Sequence, residues 1–379
     1  MRHREILEEG VIVTSDRTAC ANRRRALIES LAGKAFIAYN YEHSDHATLR
    51  YLTGFTGEGT LLLSGDDGVL LTDSRYTEQA KREVGELRVH EGRDWMAKDA
   101  AAEILARNLE AVAFAARRAT YSWFDALRKL GEFTLVDVAD PTNDLRALKT
   151  EGEIESLGKA AALADSAFGE LLPELRVGMN EADIALRLEW LMRTAGSDGV
   201  AFDTNVSCAE NTALNHYNPA LGRRSLRRGD LLLFDFGACV NGYRSDITRT
   251  VSVGPATKQA REIYDIVLRA NMEAISAVRA GATGIDVDGV ARKIIADAGY
   301  GDRFGHGLGH GIGLEVHERP SLSTLSKDTL AVGMVTTIEP GIYIPGFGGV
   351  RIEDDVVVTA TGCEVITAFP KDRLMEVGT

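Results

Sequence analysis

Three of the chain's 8 histidines, His306, His310 and His317, fall within a dozen positions, and carboxylates interrupt apolar runs on either side of them. Asp235 directly follows Leu231-Leu-Leu-Phe234, which places it near a core, where a carboxylate needs a compensating charge or a shifted pKa. Asn241-Gly242, between strand-like runs, is a strong two-residue hairpin signal. With the turn there, Val240 faces Tyr243, Gly237 faces Asp246, and Asp235 shares the face of Gly237, one diagonal step from Asp246. Diagonal neighbours on a sheet lie about 7–8 Å apart at the backbone, so the two carboxylates can converge on a pair of cations. Solvated, unrelated aspartates are the alternative.

The segment Phe304-Gly-His306-Gly-Leu-Gly-His310-Gly-Ile-Gly-Leu-Glu-Val-His317 has histidines at the i, i+4 spacing of a helical metal site. Glycines at 305, 307, 309, 311 and 313 argue against helix, since each costs about 0.8–1.0 kcal/mol there, roughly 4–5 kcal/mol together. An extended segment is expected, with His306 and His310 on one face and glycines admitting another backbone or a ligand. The runs around Glu339 (Thr337–Gly341) and Glu353 (Val350–Asp354) are weaker signals. An edge-strand charge or an Arg351–Glu353 pair explains them equally well.

These residues need a scaffold, and 379 residues exceed what one core usually supports. From about Ala35 to Val138 an α/β pattern is expected, with strands at Ala35–Tyr39, Leu61–Leu63, Val69–Leu71, Val112–Ala115 and Leu135–Val138. Gly65-Asp-Asp-Gly68 reads as a hairpin turn, and Asp73 or Ser74 as the cap of a helix running through Gln79. The pattern breaks at Asp140-Pro-Thr-Asn-Asp144. The expected domains are therefore 1–140 and 141–379. Thr150-Glu-Gly-Glu153 has capping-box spacing and opens a long amphipathic helix. Arg176, Gly178, Asp183 and Gly196 recur at one constant offset as Arg279, Gly281, Asp286 and Gly299. Common helix grammar is one explanation. The other is an internal duplication, two helix-rich halves around a pseudo-twofold axis.

Composition narrows the partners. A formal net charge of -13 disfavours nucleic acid and anionic membrane surfaces. Four dispersed cysteines without a CxxC pair fit reduced thiols. The charged first residues lack a secretory pattern, and no apolar run approaches the roughly 18 residues of a membrane span. A cytoplasmic protein is expected, and a homodimer or higher homo-oligomer.

Taken in order, these motifs resemble the metal-dependent aminopeptidase P and prolidase family, whose second domain has the α+β pita-bread fold with an internal pseudo-twofold duplication. The aspartate of Asp-Phe-Gly, that of Ser-Asp-Ile-Thr-Arg-Thr, the second histidine of His-Gly-x-x-His, the glutamate of Glu-Pro-Gly and that of Arg-x-Glu-Asp match Asp235, Asp246, His310, Glu339 and Glu353. Arg50-Tyr-Leu-Thr-Gly-Phe-Thr-Gly57 and Leu71-Thr-Asp-Ser-Arg-Tyr76 resemble the family's N-terminal α/β domain. One departure is Asn215 before His216, where many relatives carry proline.

The resemblance implies two divalent metal ions held by those five residues, with Asp246 and Glu353 shared between them. The donor set, four carboxylates and one imidazole, suits Mn2+, with Co2+ or Zn2+ as alternatives. It implies hydrolysis of the bond between an N-terminal residue and a following proline, by a hydroxide held between the two ions. Glu339 is then the proton shuttle, His317 and His306 steady the intermediate, His216 and Arg351 bind substrate, and Thr248 or Arg351 supports the ligands. The expectation is an Xaa-Pro aminopeptidase acting on proline-containing peptides, with the Xaa-Pro dipeptidase as the alternative. A non-catalytic peptide-binding module on the same fold would not require all five ligands. A dipeptidase also needs a fixed cation for the substrate's C-terminal carboxylate. Arg50, Arg75, His43 and His46 are first-domain candidates for it.

Overall fold

A computed structural model describes residues 15–215 and 217–378. The chain divides into two compact units, Met1–Leu145 and Arg146–Thr379. The division falls within a helix, Pro141–Ala147, just beyond the turn at 140.

In the first unit the elements run α1 (Ser15–Ser30), β1 (Ala35–Asn40), α2 (His46–Thr53), β2 (Gly59–Ser64), β3 (Asp67–Thr72), α3 (Thr77–Glu83), β4 (Arg88–Glu91), α4 (Lys98–Ala106), β5 (Ala111–Phe114), α5 (Tyr121–Leu127), β6 (Thr134–Asp137) and α6 (Pro141–Ala147). The strands form one mixed sheet in the order β4-β3-β2-β1-β5-β6, the expected α/β architecture. β4 escapes the sequence pattern because Arg-Val-His-Glu offers neither an apolar run nor an apolar face. Ser64 pairs with Asp67, so the hairpin turns on Gly65-Asp66, and Gly65 takes the positive φ (58°) that such a turn requires. Asp73 does not cap α3. Its carboxylate instead accepts the Arg75 backbone N–H and the Trp95 indole N–H, closing the turn ahead of the helix. Arg75 is spent inside this unit on Asp73 and Glu58.

The second unit opens with α7 (Glu151–Leu171), where the capping box forms as expected: the Thr150 hydroxyl accepts the Glu153 N–H, and the Glu153 carboxylate accepts the Thr150 N–H. Then follow α8 (Glu181–Thr194), β7 (Gly199–Val200), β8 (Asn205–Cys208), α9 (Pro219–Gly222), β9 (Leu231–Phe236), β10 (Ala238–Val240), β11 (Tyr243–Arg244) and β12 (Ile247–Val253). The remainder is α10 (Lys258–Ala277), α11 (Gly284–Asp297), β13 (Gly309–Gly311), β14 (Glu318–Leu322), β15 (Val335–Ile338), β16 (Gly341–Ile344), β17 (Gly348–Arg351), β18 (Asp354–Val358), β19 (Cys363–Val365) and β20 (Met375–Val377).

Two halves of this unit repeat one plan. α8 and α11 are both 14 residues long, capped by Asn180 and Thr283 at the same offset that relates the sequence motifs. Gly178 and Gly281 both take positive φ and donate to the carbonyls of Leu226 and Leu330. After each helix pair come strands in antiparallel order, β8-β9-β12 in the first half and β13-β15-β18 in the second. Each half has its own apolar core. Phe168, Leu188, Phe234 and Ile247 lie in the first, and Tyr264, Val267, Ile338 and Val356 in the second. Burying a side chain of this size contributes about 1.5–3 kcal/mol, so the halves are held by packing and the site between their strands need not stabilise itself.

A buried ion network ties the start of this unit to β14. Lys149 Nζ lies 3.1 Å from Glu318 Oε2, with side-chain exposures of 1% and 0%. Arg146 reaches both Glu315 and Glu318. Fixing Glu315 and Glu318 fixes the loop that carries His317.

Candidate metal centre

The Asn241-Gly242 turn forms with positive φ at both residues, and the β9–β12 pairing continues its register, with Asp235 opposite Thr248 and Phe236 opposite Ile247. Asp235 and Asp246 are thereby brought to one place, as the turn predicts. Asp246 is 5% exposed, its N–H donates to Asp355 Oδ2 at 3.0 Å, and its Oδ1 has no hydrogen-bond partner among the described residues.

His310 occupies the middle of β13, a strand only three residues long, so the extended reading holds for Gly309–Gly311 and not for His306, which sits at a bend. β13 lies between β14 and β15, whose backbones come close enough that only glycine fits on either side of His310. A Cβ on Gly309 would lie 2.0 Å from the Thr337 carbonyl oxygen, and one on Gly311 2.1 Å from that of Arg319. His310 Nε2 approaches Glu339 Oε1 to 3.3 Å and Asp246 Oδ2 to 3.9 Å. Glu339, just after β15, is held by its N–H on the Leu308 carbonyl and by the Thr337 hydroxyl donating to Oε1. Glu353, 2% exposed, accepts the Thr248 hydroxyl at 2.6 Å.

Donor atoms of Asp246, His310 and Glu353 all lie within 4.8 Å of one another. Such crowding has an electrostatic cost. Burial, then the charges of Glu353 and Asp235, hold the Asp246 carboxyl well above the usual carboxylate range. Burial, then Glu339 and Asp235, do the same to Glu353. Burial also opposes ionisation of Glu339, but the hydrogen bond and charge of His310 outweigh it and bring that group to about 2. Four converging acids with one orphaned, enclosed oxygen form a site that divalent cations would neutralise.

Two of the expected substrate or intermediate contacts already carry hydrogen bonds within the protein. Arg351, 4% exposed, lines the cavity, yet all three of its nitrogens are engaged, Nη2 by Asp235, Nη1 by Tyr343 Oη and Nε by the Thr248 hydroxyl. It is a strut for Asp235 rather than a free substrate ligand. His306 is similarly occupied. Its Nδ1 lies 2.8 Å from the Gly307 carbonyl, to which it must donate, so in the neutral ring Nε2 accepts from Tyr343 Oη at 2.9 Å. Burial lowers the His306 pKa, in keeping with that neutral form. His317 is exposed, its ring centroid 4.3 Å from that of His310. His216 lies outside the described residues.

Sequence reasoning missed Tyr343, which joins His306 to Arg351, and Asp355, which holds the Asp246 backbone and whose own carboxyl burial pushes up to about 8. Asp355 stands next to Glu353-Asp354, so a third consecutive acid in an apolar run was the available signal. The cluster faces a cavity of about 1060 Å³ in the second unit.

A carboxylate-rich, duplicated α+β unit behind an α/β unit defines the class of metal-dependent pita-bread hydrolases. The description "Metallopeptidase family M24" matches residues 155–360 and "Creatinase/Prolidase N-terminal domain" residues 21–148. The chain is 40% identical to the Xaa-Pro dipeptidase of Pyrococcus furiosus over 84% of its own length and 89% of that protein's. It is similar to the structure of an X-Pro aminopeptidase from Thermotoga maritima (39% identity, TM-score 0.88, 94% and 99% of the two chains). It is equally similar to that of an Xaa-Pro dipeptidase from Bacillus anthracis (36% identity, TM-score 0.88, 95% and 99%). The chain belongs to metallopeptidase family M24, with a creatinase/prolidase N-terminal domain and a pita-bread second domain.

Proposed function

We propose that the protein is an Xaa-Pro dipeptidase, hydrolysing the bond between an amino acid and a C-terminal proline. The convergence of Asp235, Asp246, His310, Glu339 and Glu353 on one cavity carries the peptidase reading. The likeness to the dipeptidases of Pyrococcus furiosus and Bacillus anthracis favours the dipeptide over the longer substrate of our sequence-based expectation. Removal of an N-terminal residue from longer peptides is the second reading, favoured by the likeness to the Thermotoga maritima aminopeptidase.

The five residues would hold two divalent cations, Mn2+ first by the hardness of the donors. When bound, such ions supply positive charge that polarises a carbonyl and acidifies water. The chain's own groups do the rest. A bond to proline has no N–H, and its ring nitrogen must gain a proton to leave. Glu339, which is ionised, takes a proton from the attacking water on Oε2, because Oε1 is occupied by Thr337 and His310, and passes it to that nitrogen. His317 steadies the charge developing on the carbonyl oxygen. His306 keeps Tyr343, and through it Arg351, in place. His216 is proposed as a substrate contact. The net charge of -13 and four free cysteines support a cytoplasmic enzyme, and we extend the proposal to a homo-oligomer.

The test compares kcat/KM for Ala-Pro and Ala-Pro-Ala on manganese-loaded enzyme. A hundredfold preference for the dipeptide, about 2.7 kcal/mol, is expected, and equal rates would replace this reading with the aminopeptidase.

A further inference from the structure

A dipeptidase must hold a free carboxylate one residue beyond the bond it cuts, and the cavity is poorly suited to anions. Besides the four clustered acids it is lined by Glu189 and Asp203. The cationic side chains among its described lining residues, histidines aside, are Arg351 and Arg223. Arg351 already binds Asp235, Tyr343 and Thr248, and its charge is spent on Asp235. Arg223 has no ion-pair partner among the described residues.

The surroundings of Arg223 are unusually fixed for an exposed side chain. It follows α9 in the left-handed conformation (φ 49°), with its N–H bonded to the Pro219 carbonyl. Its neighbour Arg224 turns the other way, pairing with Asp230 at 2.7 Å while its N–H donates to Glu181 Oε2. Glu181 is fully buried and gathers the segment from both ends, accepting also from the Cys208 N–H, Asn211 Nδ2 and the Tyr217 hydroxyl. One buried carboxylate thus ties Cys208, Asn211, Tyr217 and Arg224 together beside the cavity wall that residues 217–220 and Arg223 line. The fixed backbone sets where the exposed guanidinium of Arg223 starts from, and a guanidinium can grip a carboxylate with two parallel N–H bonds.

We infer that Arg223 is the specificity-determining residue that binds the C-terminal carboxylate of the dipeptide, with Glu181 as the positioning residue that sets its wall. The inference rests on the dipeptidase reading, and the experiment separates the two. Steady-state kinetics are measured with Ala-Pro, Ala-Pro-amide and Ala-Pro-Ala for wild type, Arg223→Gln and Arg223→Lys. Wild type should favour Ala-Pro over the amide by about thirtyfold, the worth of a charge-assisted hydrogen bond. Arg223→Gln should erase that preference through KM for Ala-Pro alone, leaving kcat and the amide unchanged, while Arg223→Lys retains part of it. If wild type prefers the free acid and Arg223→Gln preserves the preference, the carboxylate is held elsewhere and the assignment fails while the dipeptidase stands. If wild type cleaves all three substrates equally, the dipeptidase reading falls and the role of Arg223 falls with it.

Discussion

The two halves of the catalytic unit share a scaffold but not a chemistry. The helix positions, caps and left-handed glycines coincide, yet the first half contributes Asp235 and Asp246, and the second contributes His310, Glu339 and Glu353. At the offset relating the two helices, His310 corresponds to Ser207, fully buried on β8. Glu181, the clamp of the first half's loop, corresponds to Gly284, where a Cβ would meet the Ser321 carbonyl oxygen at 2.3 Å. The first half spends that helix position on a carboxylate that organises a wall, and the second on letting β14 come close. Duplication supplies two rigid supports, and the residues at their facing ends are then free to specialise.

The largest expected effect comes from the shared centre. Asp246→Asn should lower kcat by on the order of a thousandfold, several kcal/mol of lost charge complementarity, with the fold intact by circular dichroism. Full metal content together with near-normal turnover in that variant would mean that the halves do not meet at a metal site.

Metal removal probes the same meeting point energetically. Stripped protein should melt at a lower temperature and recover with added Mn2+, by about 2.7 kcal/mol at a hundred times Kd. Asp246 and Glu353 hold protons above the usual carboxylate range, and Asp355 up to about 8. Raised folded-state pKa values stabilise the metal-free fold at low pH, and that contribution fades as pH climbs from about 4 towards 8. Cations must displace the protons of Asp246 and Glu353, so apparent metal affinity should rise as pH climbs above the ordinary carboxylate range. Calorimetry giving a pH-independent affinity would contradict the shared, protonated acids.

Tyr343→Phe cuts the hydroxyl that lies between His306 of the second half and the Arg351–Asp235 pair. About a tenfold to hundredfold fall in metal affinity or activity is expected. An unaltered enzyme would show that the Arg351–Asp235 pair needs no support from the Tyr343 hydroxyl. The smallest effect tests the scaffold alone. Gly196 (φ 107°) and Gly299 (φ 87°) both face open space, so Gly196→Ala and Gly299→Ala incur only backbone strain. Each should lose about 1 kcal/mol, and a clear inequality in urea midpoints would argue that the halves are not mechanically equivalent.

Three of the five proposed donors carried local signals, whereas Glu339 and Glu353 stood out only through the family resemblance. Asp235 and Asp246 bracket one turn whose register is fixed by two residues, and His310 stands in glycine-rich sequence that excludes helix. The helix repeat was legible because caps and left-handed glycines are short-range grammar. What the sequence concealed is long-range. Nothing near Arg351 announces that Asp235, more than a hundred positions earlier, will occupy its guanidinium. The hydrogen bond that occupies His306 comes from Tyr343, and the fixing of Cys208, Tyr217 and Arg224 from a glutamate in a helix that precedes them. Such partners are selected by folding, and no spacing rule encodes them.

The Lys149–Glu318 and Arg146–Glu318 pairs set a limit on where this enzyme can be shortened. The M24 match begins at residue 155, after both cations. A chain started at Thr150 would keep all five donors and both helix pairs, yet strand Glu318 in the interior without Arg146 or Lys149. Losing one partner of a buried pair costs about 3–5 kcal/mol. The minimal catalytic body therefore starts earlier than the M24 match does, and any fusion that inserts a new partner ahead of it must leave the stretch from Arg146 onward untouched.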